Sequence, residues 1–302
     1  MAVMVPHLSV YWRQQMSNTT QHILAWVLKV SEDGTTETWT LSNSKVNIFI
    51  TAKKGAMSHV NENGALANVV FCNGELVGHP IVVDSQITAG FAYKQFQMVM
   101  PGNEEKLRVM WTLLGLIEDP ALKAFYWSVL SDDKIMSKFY RAKASENHHH
   151  CHDGGLFEHS VDVATSAVLH ARQNGLGDRT ANIAFVSGIL HDIGKIEMYY
   201  NNPGAKKADG CQHEALSFMV LSEQLEALKA ADAVLFDAIS STLTAKIGSS
   251  RNEYLSETIV RMCDRISADA HRTRQVFAGK PAHYWYVRSA RDKRVFKRLD
   301  EA

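Results

Sequence analysis

HHHCHDGGLFEHS at residues 148–160 and GILHDIGK at residues 188–195 bound the stretch that decides the fold of this chain. After Gly155, apolar residues recur at helical spacing and predict an amphipathic helix; they are Leu156, Val163, Ala164, Ala167 and Val168. His159 lies four residues before Val163 and therefore shares the apolar face. Because a buried imidazole is costly without a polar partner, His159 is a candidate metal ligand.

A second helix is predicted to deliver the adjacent pair His191 and Asp192. It begins with Asp178 as its N-cap and ends before Gly194. Its apolar positions are Ile183, Val186 and Leu190. A lone His-Asp pair is more often only hydrogen-bonded at a helix end, but here Ile-Gly-Lys follows it. We therefore expect nitrogen and oxygen ligands from two helices to converge on one ion.

A fourth protein ligand is predicted at Asp264, because two imidazoles and one carboxylate leave a divalent ion underligated. Asp264 lies in ETIVRMCDRISAD, which the apolar residues Ile259, Val260, Met262, Cys263 and Ile266 predict to be a largely buried helix. A carboxylate in that setting is costly without a cation. The mixed nitrogen and oxygen set suits Mn, Fe, Co, Ni or Mg better than a closed structural zinc site, which favours cysteines.

These motifs resemble those of a known family. From about Glu104 to about Arg274 the chain resembles the HD superfamily of metal-dependent phosphohydrolases. The resemblance rests on the pair His149–His150 followed after three residues by GGLFEHS, on LHDIGKIE, and on Asp264. Within the superfamily the chain is similar to YhaM-type 3′-to-5′ exoribonucleases, which join an OB-fold to an HD domain. HHH before GGLFEHS also resembles the HD catalytic domain of MobH-type conjugative relaxases.

The resemblance implies one or two divalent transition ions, with manganese as the first choice. Asp192 is then both ligand and catalytic residue, and His213 is a candidate additional ligand at the start of the following helix. His149, His150 or Lys195 would neutralise developing charge or protonate the leaving group. One departure argues against a complete second-metal site: residues 241–257 read STLTAKIGSSRNEYLSE where the exonucleases carry His-His-Gly.

Composition indicates a globular protein of two modest domains. Lys and Arg total 32, equal to Asp and Glu, and 46% of the residues are hydrophobic. No long apolar run predicts a membrane span, and the N-terminus lacks the pattern of a signal peptide, so a cytoplasmic protein is expected. The cysteines Cys72, Cys151, Cys211 and Cys263 show no paired spacing and are interpreted as reduced thiols.

The first hundred residues are rich in short β-type runs. HILAWVLKV, TTETWTLS, KVNIFITAK, ALANVVFC and GHPIVVD are separated by turn residues and predict a small antiparallel barrel or sheet. The family resemblance favours an OB-fold, which often grips single-stranded nucleic acid through basic and aromatic side chains. Candidates for that contact are Trp26, Trp39, Phe49, Lys53 and Lys54, with the two tryptophans alternatively placed in the core.

The predicted fold class is therefore α+β. Residues 1–100 form a small β-barrel of OB type, and residues 101–302 form an all-α HD domain with a basic C-terminal tail. Pro101 and Gly102 mark the boundary, and a helical pattern interrupted at Pro120 leads into the histidines. In the tail, Arg288, Arg291 and Arg294 are candidate substrate-binding residues beside Tyr284, Trp285 and Tyr286. The alternative is a solvated terminal helix whose aromatics pack on the core.

The predicted function is a metal-dependent phosphodiesterase acting on single-stranded nucleic acid, most simply a 3′-to-5′ exonuclease. In that mechanism the ion lowers the pKa of water and polarises a phosphoryl oxygen. Three alternatives stay open. They are a relaxase-like DNA-processing protein, a small-molecule nucleotidase, and a non-catalytic binder in which the metal is a structural clip. Nicking of plasmid, hydrolysis of free nucleotides, or metal binding without hydrolysis would distinguish them.

Overall fold

The computed structural model of the chain consists of two compact units, residues 1–97 with 110–115 and residues 98–109 with 116–302. The structure describes residues 20–42, 47–58, 60, 64–72, 75–76, 81–82, 87–146, 150–200, 210–244, 253–290 and 293–299.

The N-terminal unit contains an antiparallel sheet. Its strands are β1 (Thr20–Glu32), β2 (Thr36–Ser42), β3 (Asn47–Lys53), β4 (Ala65–Cys72), β5 (Glu75–Leu76) and β6 (Ile81–Val82). The strand order is β3-β2-β1-β4-β5, and β6 also pairs with β4. The long β1 pairs with β2 on one side and with β4 on the other, and a register shift between Lys29 and Ser31 interrupts its ladder with β2.

Alternation along the strands explains the core of this sheet. In β2, Glu37, Trp39 and Leu41 are buried while the residues between them are partly exposed. The apolar members of this face pack against Ala25 and Val27 of β1. The buried Glu37 is satisfied, since its carboxylate accepts hydrogen bonds from Lys29 Nζ and from the backbone of Gly55.

The predicted closed barrel is not confirmed, because this sheet is open. Among the described residues, no ladder joins β3 to β5 or β6. An alternating pattern places one face of a strand in a core, but it is the same for an open sheet and for a barrel. Trp39 lies in the core, and Phe49 is 70% exposed on β3. The OB-fold is likewise not confirmed.

The rest of the chain is mainly helical. The helices are α1 (Ala89–Met98), α2 (Glu104–Gly115), α3 (Pro120–Leu130), α4 (Asp133–Phe139), α5 (Gly155–Gln173), α6 (Asp178–Leu190), α7 (Ile196–Tyr199), α8 (His213–Val220), α9 (Ser222–Ala231), α10 (Ala233–Leu243) and α11 (Leu255–Phe277). A short 3₁₀ helix, Ile193–Lys195, links α6 to α7. None of the helices in the described ranges is both long and apolar enough to cross a membrane.

Three helices form the centre of the helical unit. Val163 and Ala167 of α5, Ala184 of α6, and Val260 and Cys263 of α11 share one buried cluster. The helix starts follow from local chemistry. Pro120 begins α3 rather than interrupting a helix, and Asp119 caps it by accepting hydrogen bonds from the next free amides. Asp178 is the first residue of α6, one position after the N-cap Gly177.

One expectation and one alternative for the C-terminal region are wrong. Helix α11 is buried along one face only, and Met262 and Ile266 are both 55% exposed. Each residue of a helix turns about 100°, so a run of apolar residues cannot all face the same core. The terminal segment is not a helix either: β7 (Tyr286–Arg288) and β8 (Val295–Lys297) form an antiparallel hairpin. The helical unit is therefore not wholly α.

Candidate metal centre

Helix α5 carries His159 on its buried face. The side chain is fully buried, and its Nδ1 lies 3.1 Å from Ser267 Oγ on α11. This contact fixes the ring and leaves Nε2 facing the carboxylates of Asp192 and Asp264. The helical spacing from Val163 therefore predicts the position of this imidazole correctly.

The end of α6 supplies the next two groups. The Nδ1 of His191 lies 2.8 Å from the carbonyl oxygen of Gly188, one turn earlier. Only a protonated Nδ1 can donate to a carbonyl oxygen, so the neutral ring carries its lone pair on Nε2. Asp192 follows directly and is 3% exposed. Both side chains are thus presented toward His159.

Asp264 completes the group from α11. One ligand atom each of His159, His191, Asp192 and Asp264 lies within 4.8 Å of the other three. Nε2 of His159 is 3.0 Å from Asp264 Oδ1 and 3.7 Å from Asp192 Oδ2. Nε2 of His191 is 3.8 Å and 3.3 Å from the same two oxygens. The two nitrogens and two oxygens therefore surround one small space.

These separations fit a shared divalent cation. Ligand bonds of about 2.1 Å place neighbouring ligands about 3.0 Å apart in an octahedron and about 3.4 Å apart in a tetrahedron. The buried Nε2 of His191 makes no hydrogen bond of ordinary geometry within the described residues. Two imidazole lone pairs against two carboxylates repel each other unless protons or a cation lie between them. The donor set matches Mn, Fe, Co, Ni or Mg.

The protonation states of these side chains also indicate a site for a cation. Burial lowers the pKa of His191, but the nearby negative carboxylates of Asp192 and Asp264 outweigh burial and raise the pKa to about 10. Burial acts to raise the pKa of Asp192, yet the charges of Lys195 and His191 hold it well below its usual range. Both carboxylates are therefore ionised. A proton on His191 occupies the position that a bound cation would take over.

Two further predicted residues contact Asp192. Lys195 Nζ lies 2.5 Å from Oδ2, and His213 Nε2 lies 3.0 Å from Oδ1. His213 is reached because α8 packs closely on the turn that follows Asp192. A Cβ at Gly194 would lie 2.0 Å from the carbonyl oxygen of His213, so only glycine allows this approach.

A cavity of about 490 Å³ opens over the centre. Its lining includes three of the ligands, His191, Asp192 and Asp264, together with His213 and Arg261. The side chain of Asp264 is 32% exposed, so the ligand set is accessible from this cavity. A ligand set with an accessible side is typical of a catalytic metal site, whereas structural sites are closed.

The family model of the HD domain matches residues 156–269 of this chain. Residues 156–269 form an HD domain. HD domains are in general metal-dependent phosphohydrolases, and the four converging ligands lie within the matched range. No curated protein and no solved structure shows significant similarity to the chain. Nothing in these comparisons supports the YhaM-type or the MobH-type subtype.

Not every predicted site residue belongs to the ligand set of the HD domain. His149 and Arg291 lie outside the described residues. Lys53 and Lys54 are exposed residues of the N-terminal unit, and Lys54 pairs with Glu32. Arg288 is exposed on β7.

Two predicted residues are held by other side chains. His150 is buried near the start of α5, where its ring centroid lies 5.4 Å from that of His159. Arg294 lies 3.0 Å from the carboxylate of Asp269 and stacks over Phe296. Its charge is therefore partly committed to Asp269 on α11.

Sequence reasoning missed three residues that contact histidines in α5 or just before it. Ser267 contacts His159, and its position one helical turn after Asp264 was the available signal. Glu158 precedes His159 directly and pairs with His152. His271 reaches the backbone of His150. His150 and His271 are 121 positions apart in the chain, and no sequence pattern connects them. Their contact can therefore be seen only in the folded structure.

Proposed function

We propose that this protein is a divalent-metal-dependent phosphodiesterase that hydrolyses single-stranded nucleic acid, most simply as a 3′-to-5′ exonuclease. This proposal rests on the convergence of four ligands beside an open cavity within an HD domain. The ligands are His159, His191, Asp192 and Asp264. These four residues would hold a divalent ion, with manganese as the first choice, and the bound ion would supply a water of lowered pKa and a polarised phosphoryl oxygen.

The residues around the ligands have defined tasks in this proposal. Lys195 holds Asp192 through an ion pair and keeps the carboxylate charged, so it acts as a positioning residue. His213 faces the other oxygen of Asp192, where it can bind a second ion or donate a proton to the leaving oxygen. Arg261 lines the same cavity, and its guanidinium is suited to phosphate oxygens.

The side chains in and around the C-terminal hairpin favour the proposal of a polyanionic substrate. Tyr284, Trp285 and Tyr286 are each about half exposed, and Lys297 lies over the Trp285 ring. Together with Lys280 and Arg288, the aromatic run lines a second surface cavity. Exposed rings beside basic side chains supply base stacking and phosphate contacts without sequence preference. We propose this hairpin as a contact for the nucleic acid strand.

The test is hydrolysis of end-labelled single-stranded RNA and DNA with a panel of divalent ions. Mononucleotide products from the 3′ end are expected with wild-type protein. Asp192→Asn should abolish them, while Glu75→Gln, a control in the N-terminal unit, should not. Wild-type turnover in Asp192→Asn, shown folded by circular dichroism, would refute the catalytic assignment.

The contribution of the tail has its own test. Truncation after Lys280 should weaken oligonucleotide binding and flatten its dependence on salt, because fewer counterions are released. Metal content should stay unchanged. Affinity and salt slope equal to those of the full chain would remove the hairpin from the proposal.

A small-molecule nucleotidase is the second candidate, favoured by the size of the cavity at the metal centre. Its volume of about 490 Å³ accommodates one nucleotide, since ligand pockets typically measure about 300–1,000 Å³. Rapid hydrolysis of free nucleotides with no shortening of oligomers would favour this function. The same HD ligands would be required in both cases.

A further inference from the structure

A second group of candidate ligands lies at the start of α5, outside the four ligands of the HD centre. His150, His152 and Glu158 each place one ligand atom within 4.8 Å of the other two. None of them contributes to the group formed by His159, His191, Asp192 and Asp264. The proposed function uses none of the three as a ligand.

The carboxylate of Glu158 lies between the two imidazoles. Its Oε2 is 2.9 Å from His152 Nε2, and its Oε1 is 3.6 Å from His150 Nδ1. Bonds of about 2.0–2.1 Å to a tetrahedral ion place its ligands about 3.3–3.4 Å apart. The two observed separations, each to a different carboxylate oxygen, lie on either side of that value, and the three ligand atoms lie within 4.8 Å of one another. A bound ion would replace the present hydrogen bond between His152 and the carboxylate.

The backbone holds His150 in place before any ligand arrives. His150 has a positive φ of 48°, which is uncommon for a residue other than glycine. Its carbonyl oxygen accepts a hydrogen bond from the Ala144 amide. A Cβ at Gly155 would lie only 2.2 Å from that same oxygen, so glycine is needed for the close approach.

The ring of His150 is held as well. The His150 ring packs against the ring of His271, with their centroids 4.2 Å apart. The backbone amide of His150 also donates a hydrogen bond to His271 Nε2. The His271 ring thus acts on the cluster as a positioning residue, because its Nε2 is already occupied. Orientation of a ligand by such outer contacts is a regular feature of metal sites.

One side of the cluster is open to solvent. The His150 side chain is 1% exposed, that of Glu158 is 30% exposed and that of His152 is 53% exposed. An ion can therefore enter from the His152 side and keep a position for water. Two imidazoles and one carboxylate with one open position are the ligand set of several catalytic zinc sites.

We propose that His150, His152 and Glu158 bind one divalent transition ion of the Zn²⁺, Co²⁺ or Ni²⁺ class at a site separate from the HD centre. Imidazole-rich sets select these ions, whereas the carboxylate share of the HD centre is larger. The occupied site fixes the segment from His150 to Glu158 beside His159, whose ring lies 5.4 Å from that of His150.

The experiment measures Zn²⁺ binding by isothermal titration calorimetry in full-length protein with the HD centre disabled by His191→Ala and Asp192→Ala. One Zn²⁺ per chain is expected. Adding His152→Ala or Glu158→Gln should weaken binding by at least about 100-fold, the upper end of what outer contacts alone cost. His170→Ala is the matched control, because His170 is an exposed histidine of α5, the helix that carries Glu158. Its affinity should equal that of the background.

A second measurement does not depend on the folding of the disabled protein. In the otherwise unchanged chain, His152→Ala should lower the number of Zn²⁺ ions bound by one relative to His170→Ala. His152 is exposed, so its replacement leaves the core intact. Equal stoichiometry in these two variants, or no ion in a folded HD-disabled protein, overturns the proposal. Loss of hydrolysis in the disabled protein bears only on the proposed function.

Discussion

Replacement of Gly194 by alanine tests the packing that brings His213 to Asp192. The added methyl group would lie 2.0 Å from the His213 carbonyl oxygen and 2.5 Å from the Ser217 amide nitrogen. Both neighbours are backbone atoms of α8, so the helix itself must move. The methyl group also displaces Ser217 Oγ, which accepts a hydrogen bond from the Gly194 amide at 3.0 Å.

The expected loss in the free energy of unfolding is about 2–4 kcal/mol. Overpacking contributes about 1–3 kcal/mol, and the lost buried hydrogen bond contributes about 1 kcal/mol. At about 2–4 °C per kcal/mol for a unit of this size, the melting temperature falls by about 4–16 °C. Displacement of α8 also separates His213 from Asp192, while the four HD ligands stay on their own helices.

Urea unfolding of the full chain, followed by far-ultraviolet circular dichroism, measures this loss because the helical unit dominates the signal. Gly210→Ala is the matched control, since a Cβ at Gly210 meets no atom within 4 Å. The control should change the free energy of unfolding by no more than about 0.5 kcal/mol. Equal urea midpoints for the Gly194 and Gly210 variants would refute the close packing of α8 on the turn after Asp192.

Three further predictions test separate parts of the molecule. Asp119→Ala should lower the free energy of unfolding by about 1 kcal/mol in the same urea assay, because its side chain caps α3. Hydrogen bonds from the Thr35 and Thr36 amides lower the pKa of Asp33 from 3.8 to about 2. The stability that this carboxylate contributes is therefore present above about pH 4 and is lost as the pH falls through about 2. Urea midpoints measured at these two pH values should differ less in Asp33→Asn than in the wild-type protein. Trp285→Ala should weaken binding of a single-stranded oligonucleotide by about 1–3 kcal/mol, and Trp285→Phe by less, as measured by fluorescence anisotropy.

The local motifs of the HD domain could be predicted from sequence because they depend on short-range geometry. Helical spacing places His159 on the same face as Val163, and the end of α6 fixes His191 beside Asp192. Asp264 was predicted by its position in an apolar stretch, although its helix is buried along one face only. The four ligands meet because α5, α6 and α11 share a core cluster.

The remaining features depend on contacts between distant residues. The alternation in β1 and β2 does not determine whether β3 meets β5, so the open sheet could not be distinguished from a barrel. Strands β7 and β8 have three residues each, too few for a period-two pattern to show. The cluster around Glu158 is positioned by His271, which approaches only after α11 has packed on α5.

Elemental analysis of the purified protein tests the central claim most directly. The wild-type chain should contain at least one transition-metal ion at His159, His191, Asp192 and Asp264. The variant carrying both His191→Ala and Asp192→Ala should contain at least one ion fewer, whether or not the cluster at Glu158 retains its own. Equal metal content in the wild-type protein and a folded double variant would contradict the assignment of the HD centre as a metal site.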